Sequence, residues 1–134
     1  MVKSEFHFMQ YLIAGSSQTL GEVLQELSTS PQVCVRRNVA ENTAAPLSVL
    51  NFLLYDEDPE VRQSLSANPS VPKAFLRHLA LDQSVDVRYA LAENAHMPVE
   101  ILTVLSRDEN PYVAHRASRT LQRLSEGLPL ALAS

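Results

Sequence analysis

One phrase recurs at a fixed interval, and that interval limits the fold more than any other feature. It reads Asp82-Gln83-Ser84-Val85-Asp86-Val87-Arg88-Tyr89-Ala90-Leu91-Ala92-Glu93-Asn94. The same phrase stands 26 residues earlier, from Asp56 through Val61-Arg62 to Leu65 and Asn68. A further 26 back, Ser30 leads through Val35-Arg36 to Val39 and Asn42. The next copy forward begins Asp108-Glu109-Asn110-Pro111-Tyr112-Val113 and then departs from the pattern. A period of this size is the signature of a stacked array of small units.

The copies align column by column with no insertion. Leu24, Leu50, Leu76 and Leu102 form one column, and Leu27, Leu53, Leu79 and Leu105 another. Val35, Val61, Val87 and Val113 form a third. Two more stay apolar but vary: Val39, Leu65, Leu91 and Ala117, then Val23, Val49, Phe75 and Ile101. These spacings of three and four residues predict helices. Each unit holds two short ones. The first opens at Pro46, Pro72 or Pro98, where a missing N–H costs nothing at the first helical position, and runs to Leu54, Ala80 or Ser106. The second ends at Asn42, Asn68 or Asn94, a residue that tolerates left-handed backbone. Helices this short are marginal alone, so stacking on neighbours has to bury the Leu and Val columns.

The expected fold is therefore all-α: a short-period α-solenoid of helix pairs forming one repeat domain over 1–134. Residues 1–19 hold an N-terminal capping helix and turn. Residues 20–45, 46–71, 72–97 and 98–123 are the repeats, and 124–134 is a C-terminal tail. The capping helix, Ser4 to Ala14, carries Phe6, Met9 and Ile13 at helical spacing, with Gly15 as its stop. Thr19 and Glu22 have the spacing of a capping box. In the last copy Ala114 replaces the Arg and Thr120 the Asn, and the helix continues to Gly127 with a more polar face. A solenoid end needs such a face to stay soluble. Residues 128–134 are expected to fray.

The net charge of -4 argues against a dominant role on nucleic acid or anionic membrane. The single cysteine, Cys34, excludes an internal disulfide. No apolar run approaches the roughly 20 residues that span a bilayer. The start of the chain reads as an amphipathic helix rather than a secretory leader, and the cytoplasm is the expected compartment.

The phrase Asp-x-x-x-x-Val-Arg-x-x-Leu-Ala-x-Asn, followed by Pro-x-x-x-Leu-x-x-Leu, resembles the variant leucine-rich repeat family. It is also similar to HEAT-like helical repeats. The likeness covers Leu20 to about Leu121, and the short period favours the variant leucine-rich type. The resemblance implies a right-handed stack of short helices, some of them 3₁₀. Some members hold an iron–sulfur cluster on N-terminal cysteines, for which this chain has only Cys34. Some HEAT-like proteins excise alkylated DNA bases in a basic groove; this chain is net acidic and has no Trp.

Two sets of candidate residues follow. Arg36, Arg62 and Arg88 with Asp56, Asp82 and Asp108 repeat in every internal unit, as do Asn42, Asn68 and Asn94. The Asp side chains are placed to cap the following helices, and the Arg side chains to pair with an Asp of a neighbouring unit as a ladder. The competing use of the Arg row is an anion clamp. Repetition at every unit is what a stacking device needs, which favours the ladder.

The second set varies in type while repeating in location. If Val35 and Val39 face the core, then Cys34, Arg37, Asn38 and Glu41 point outward, as do their counterparts in later copies. Arg37, Gln63, Tyr89 and His115 form one outward column, joined at the last copy by Tyr112, Arg116 and Arg119. Tyr and Arg are common interface anchors. In HEAT-like stacks this helix lines the concave face. Acidic Glu60, Asp86 and Glu93 precede basic His115, Arg116, Arg119 and Arg123 along the same helices, which suits a partner carrying both signs. The basic group equally complements a helix dipole at the end of the chain.

His7, His78, His96 and His115 lack metal-ligand spacing, and Cys34 has no local His to activate it. With three glycines there is no phosphate loop. The expected function is thus a non-enzymatic binding module or scaffold for a protein or peptide, with no cofactor and no metal. One alternative is a nucleic-acid binder or base-repair protein using Arg116, Arg119 and Arg123 on phosphates. Another is a structural subunit of an assembly. For the latter, Phe6 and Phe8 of the first helix would contact a second chain instead of covering the first repeat.

Overall fold

The computed structural model describes residues 2–127, with only the backbone of Val2. The frayed end expected at 128–134 lies outside the described residues. Among those described there are nine helices and no strand. They are α1 (Val2–Gly15), α2 (Gly21–Leu27), α3 (Val33–Glu41), α4 (Leu47–Leu53), α5 (Pro59–Leu65), α6 (Lys73–Leu79), α7 (Val85–Glu93), α8 (Val99–Leu105) and α9 (Pro111–Glu126). The chain divides into two compact units, Met1–Phe75 and Leu76–Ser134, with α6 straddling the division.

In the first unit α1 packs on α3 and α3 on α5, while α2 and α4 lie against them. Leu24, Leu50, Leu53, Val35, Val39, Val61 and Leu65 are buried between these helices. In the second unit α7 and α8 pack on α9. Leu79, Val87, Leu91, Ile101, Leu102, Leu105 and Val113 form that core. Burying each such side chain stabilises by about 1.5–3 kcal/mol. Most of these helices have seven or nine residues, so packing rather than intrinsic helicity holds them.

The helix ends differ from expectation in instructive ways. Pro46 and Pro98 are not the first helical residues but the caps before them, with ψ of 151° and 140°. Their carbonyls accept the first helical bonds, from Leu50 and Leu102 N–H at 3.1 Å each. The first helical position goes instead to Pro59 and Pro111, behind Asp58 and Asn110, whose side chains accept from the N–H of Glu60 and Tyr112. Thr19 and Glu22 make no capping box. Leu20 is the cap, without a side-chain bond, and Thr19 Oγ1 donates to Ile13 O at 2.6 Å. No described residue has positive φ, so neither Gly15 nor the Asn column ends its helix in left-handed backbone. Asn42 and Asn94 are extended, because their side chains are committed elsewhere.

The first helix also turns a different way. Ala14 is buried and His7 and Gln10 are half-buried, whereas Phe6, Phe8 and Met9 are 60%, 62% and 60% exposed. Phe6 and Phe8 therefore do not cover the first repeat. Hydrogen bonds set this rotation. Asn38 Nδ2 donates to Tyr11 O at 2.9 Å, and Asn42 Nδ2 to Ala14 O at 2.7 Å. Both carbonyls must face α3, and only small residues let the helices approach. A Cβ on Gly15 would lie 3.3 Å from Asn38 Nδ2.

Candidate functional site

The repeated polar residues form two kinds of stitch. Arg36 Nε donates to Asp56 Oδ2 at 2.9 Å and Nη2 to Oδ1 at 3.2 Å, while Nη1 reaches Ser30 O at 2.7 Å. In the second unit Arg88 grips Asp108 in the same fork, at 2.8 and 3.3 Å, and Asp82 O at 2.7 Å. Arg62 Nη1 donates to Asp56 O at 2.7 Å. The hydrogen bond that each guanidinium donates to its Asp raises the pKa of Arg36 and Arg88 against the opposing effect of burial. The bidentate forks of Arg36 and Arg88 are thus taken up by carboxylates 20 residues further on.

The Asp residues do not cap helices. Asp56, Asp82 and Asp108 accept through Oδ1 from the N–H two residues on, at Asp58, Ser84 and Asn110. Each closes the turn before the true cap, because its other oxygen or its carbonyl is engaged by Arg.

The Asn residues form the second stitch. Asn68 Nδ2 donates to Ala40 O at 2.9 Å and Asn42 O at 3.0 Å, and Oδ1 accepts from Ser70 N at 2.9 Å. Asn42 repeats this with Ala14 O, Ser16 O and Ala44 N. The Asn94 side chain accepts from His96 N at 2.8 Å. Thr120 stands in the Asn position, and its Oγ1 donates to Ala92 O at 2.6 Å and Arg116 O at 3.0 Å. A single hydroxyl can serve there because α9 continues and needs no turn.

The outward positions are distributed unit by unit. In the first, Arg37 is exposed and forms a surface pair with Glu60 at 3.6 Å, while Gln63 is half-buried. In the second, Tyr89, Tyr112, His115 and Arg119 are exposed. Arg116 is not outward in the expected sense. Its column contains half-buried Asn38 and buried Ser64 and Ala90, and it is itself half-buried. Its Nε is enclosed without an acceptor among the described residues. The reason is helical: position 116 lies three residues after buried Val113 and four before buried Thr120, on the side where α9 packs.

A surface that sequence reasoning passed over lies in the first unit. An open cavity of about 610 Å³ is lined by Ser28, Ser30, Arg36, Phe52, Tyr55 and Asp56 among others. A smaller one of about 290 Å³ adjoins it through Ser28, Thr29 and Phe52. The signal was the column Glu26, Phe52, His78 and Val104, whose aromatic member stands out among surface residues. No group of three His, Cys, Asp or Glu among the described residues could hold a metal ion. No described helix is long and apolar enough to cross a membrane. The chain matches no protein-family model, no curated protein and no solved structure.

Proposed function

We propose that this chain is a cytoplasmic, non-enzymatic binding module or scaffold, an α-solenoid of 26-residue helix pairs that offers a helical face to a protein or peptide. The partner sits on α7 and α9. The observation that carries this reading is the state of two tyrosines. Tyr89 and Tyr112 stay exposed although Arg88 and Val113, their immediate neighbours in sequence, are buried. Exposed Asp86 and Glu93 on α7, with His115 and Arg119 on α9, supply both signs of charge. The stitches support a preformed surface, so little ordering cost falls on this protein when it binds.

The test is affinity capture from native lysate at low and high salt, with wild type and the Tyr89→Ala/His115→Ala double variant. The captured protein is then purified and titrated against both. A protein that survives high salt and binds the variant at least about tenfold more weakly supports the reading. Equal binding by the variant removes this site. Nucleic acid recovered only at low salt would support phosphate contacts by Arg119 and Arg123 instead.

A further inference from the structure

We propose that two copies of this chain associate through α1, antiparallel about a two-fold axis near Met9, burying Phe6, Phe8, Met9, Leu12 and Ile13 of each. All five are exposed, while the opposite side of α1 carries the stitches to α3. Scaled to the about 150–250 Å² of an aromatic side chain, their exposed parts amount to roughly 500 Å². That lies in the upper part of the about 300–600 Å² range of a monomer's largest apolar patch, a size that is often functional. Two such faces together hold at most about 1,000 Å², the threshold of a biological interface and the size of a weak, reversible one.

The occupant follows from polarity. The same stitch that holds α1 on α3 holds α3 on α5, through Asn42 and Asn68. The free side of α1 has no such Asn, so the character of its exposed side chains sets its occupant. Stacking it on α9 of a second copy would bury Arg119, Gln122 and Arg123, all exposed and polar, against Phe and Leu. Placing α1 on α1 buries apolar side chains on both sides and closes. A parallel pair would set Glu5 beside the other Glu5, whereas the antiparallel pair separates them to opposite rims.

Sedimentation equilibrium of the full chain, from about 1 to about 500 μM, tests this over the range where an interface of this size dissociates. Wild type is expected to pass from monomer to dimer. Met9→Glu should raise the dissociation constant on the order of a hundredfold, since the charge enters twice. Arg119→Glu should leave it unchanged, and at about 1 μM, where the chain is monomeric, both variants should melt like wild type. In a Cys34→Ser background, Met9→Cys should oxidise to a linked dimer. A chain that stays monomeric at the highest concentration overturns the proposal. So does a dimer equally strong in Met9→Glu and Leu12→Glu, or one lost in Arg119→Glu alone. Because Met9 is not among the residues assigned to the α7–α9 surface, Met9→Glu should leave partner capture intact.

Discussion

The side-chain amide of Asn68 donates to the backbone carbonyl of Ala40, 28 residues earlier, at 2.9 Å in a buried site. The same amide holds Asn42 O, and its oxygen holds Ser70 N. One residue thus satisfies three backbone groups. Asn68→Ala should destabilise by about 2–4 kcal/mol, because the orphaned groups lose their partners without gaining water. Urea unfolding would measure it. Asn68→Asp should fail to rescue, since a carboxylate has no donor for the two carbonyls.

Arg36 and Asp56 should be strongly coupled. Removing either alone, as Arg36→Met or Asp56→Ala, is expected to cost about 3 kcal/mol by leaving a buried group unpaired. The double variant should cost less than the sum, which a double-mutant cycle would show. The hydrogen bond to Asp56 raises the Arg36 pKa above its ordinary value. A raised cation stabilises fully below the unfolded value and is lost only as pH rises through the folded one. Titration of Arg36 should therefore leave its contribution constant from about pH 7 to about pH 10.

Gly21→Ala pits two effects against each other. Alanine is the better helix former by up to about 1 kcal/mol, less in the first turn. A Cβ at Gly21 would meet Pro46 Cγ at 2.8 Å, and a proline ring has little room to move. The overlap should win, with a net loss of about 1 kcal/mol in thermal or urea unfolding.

Thr120→Val keeps the shape and removes the hydroxyl. Ala92 O then loses its 2.6 Å bond in a buried place. A loss of about 1–3 kcal/mol is expected, with helix content unchanged by circular dichroism.

The buried columns were legible because each residue's burial repeats with its place in the period. Leu24, Leu53, Val61 and Leu102 are all buried where the column pattern put them. The rotation of α1 was not legible. Its apolar residues spread over more than half the helix, so periodicity alone could not choose a face, and the choice falls to Asn38 and Asn42. Arg116 was misread for a related reason. An Arg in a column of Asn38, Ser64 and Ala90 looks like surface until Ser64 and Ala90 are seen to be buried. The prolines were shifted by one residue because two kinds occur. Pro46 and Pro98 cap, while Pro59 and Pro111 begin a helix.

Asn42 and Asn68 grip carbonyls, which every amino acid possesses. The stitch therefore does not read the residue it holds. Ala40 and Ala14 can be exchanged as far as the amide is concerned, provided the new side chain fits. Such a frame separates joining from display: the exposed positions of α3 and α5 can be rewritten freely, and each rewriting inherits the same framework.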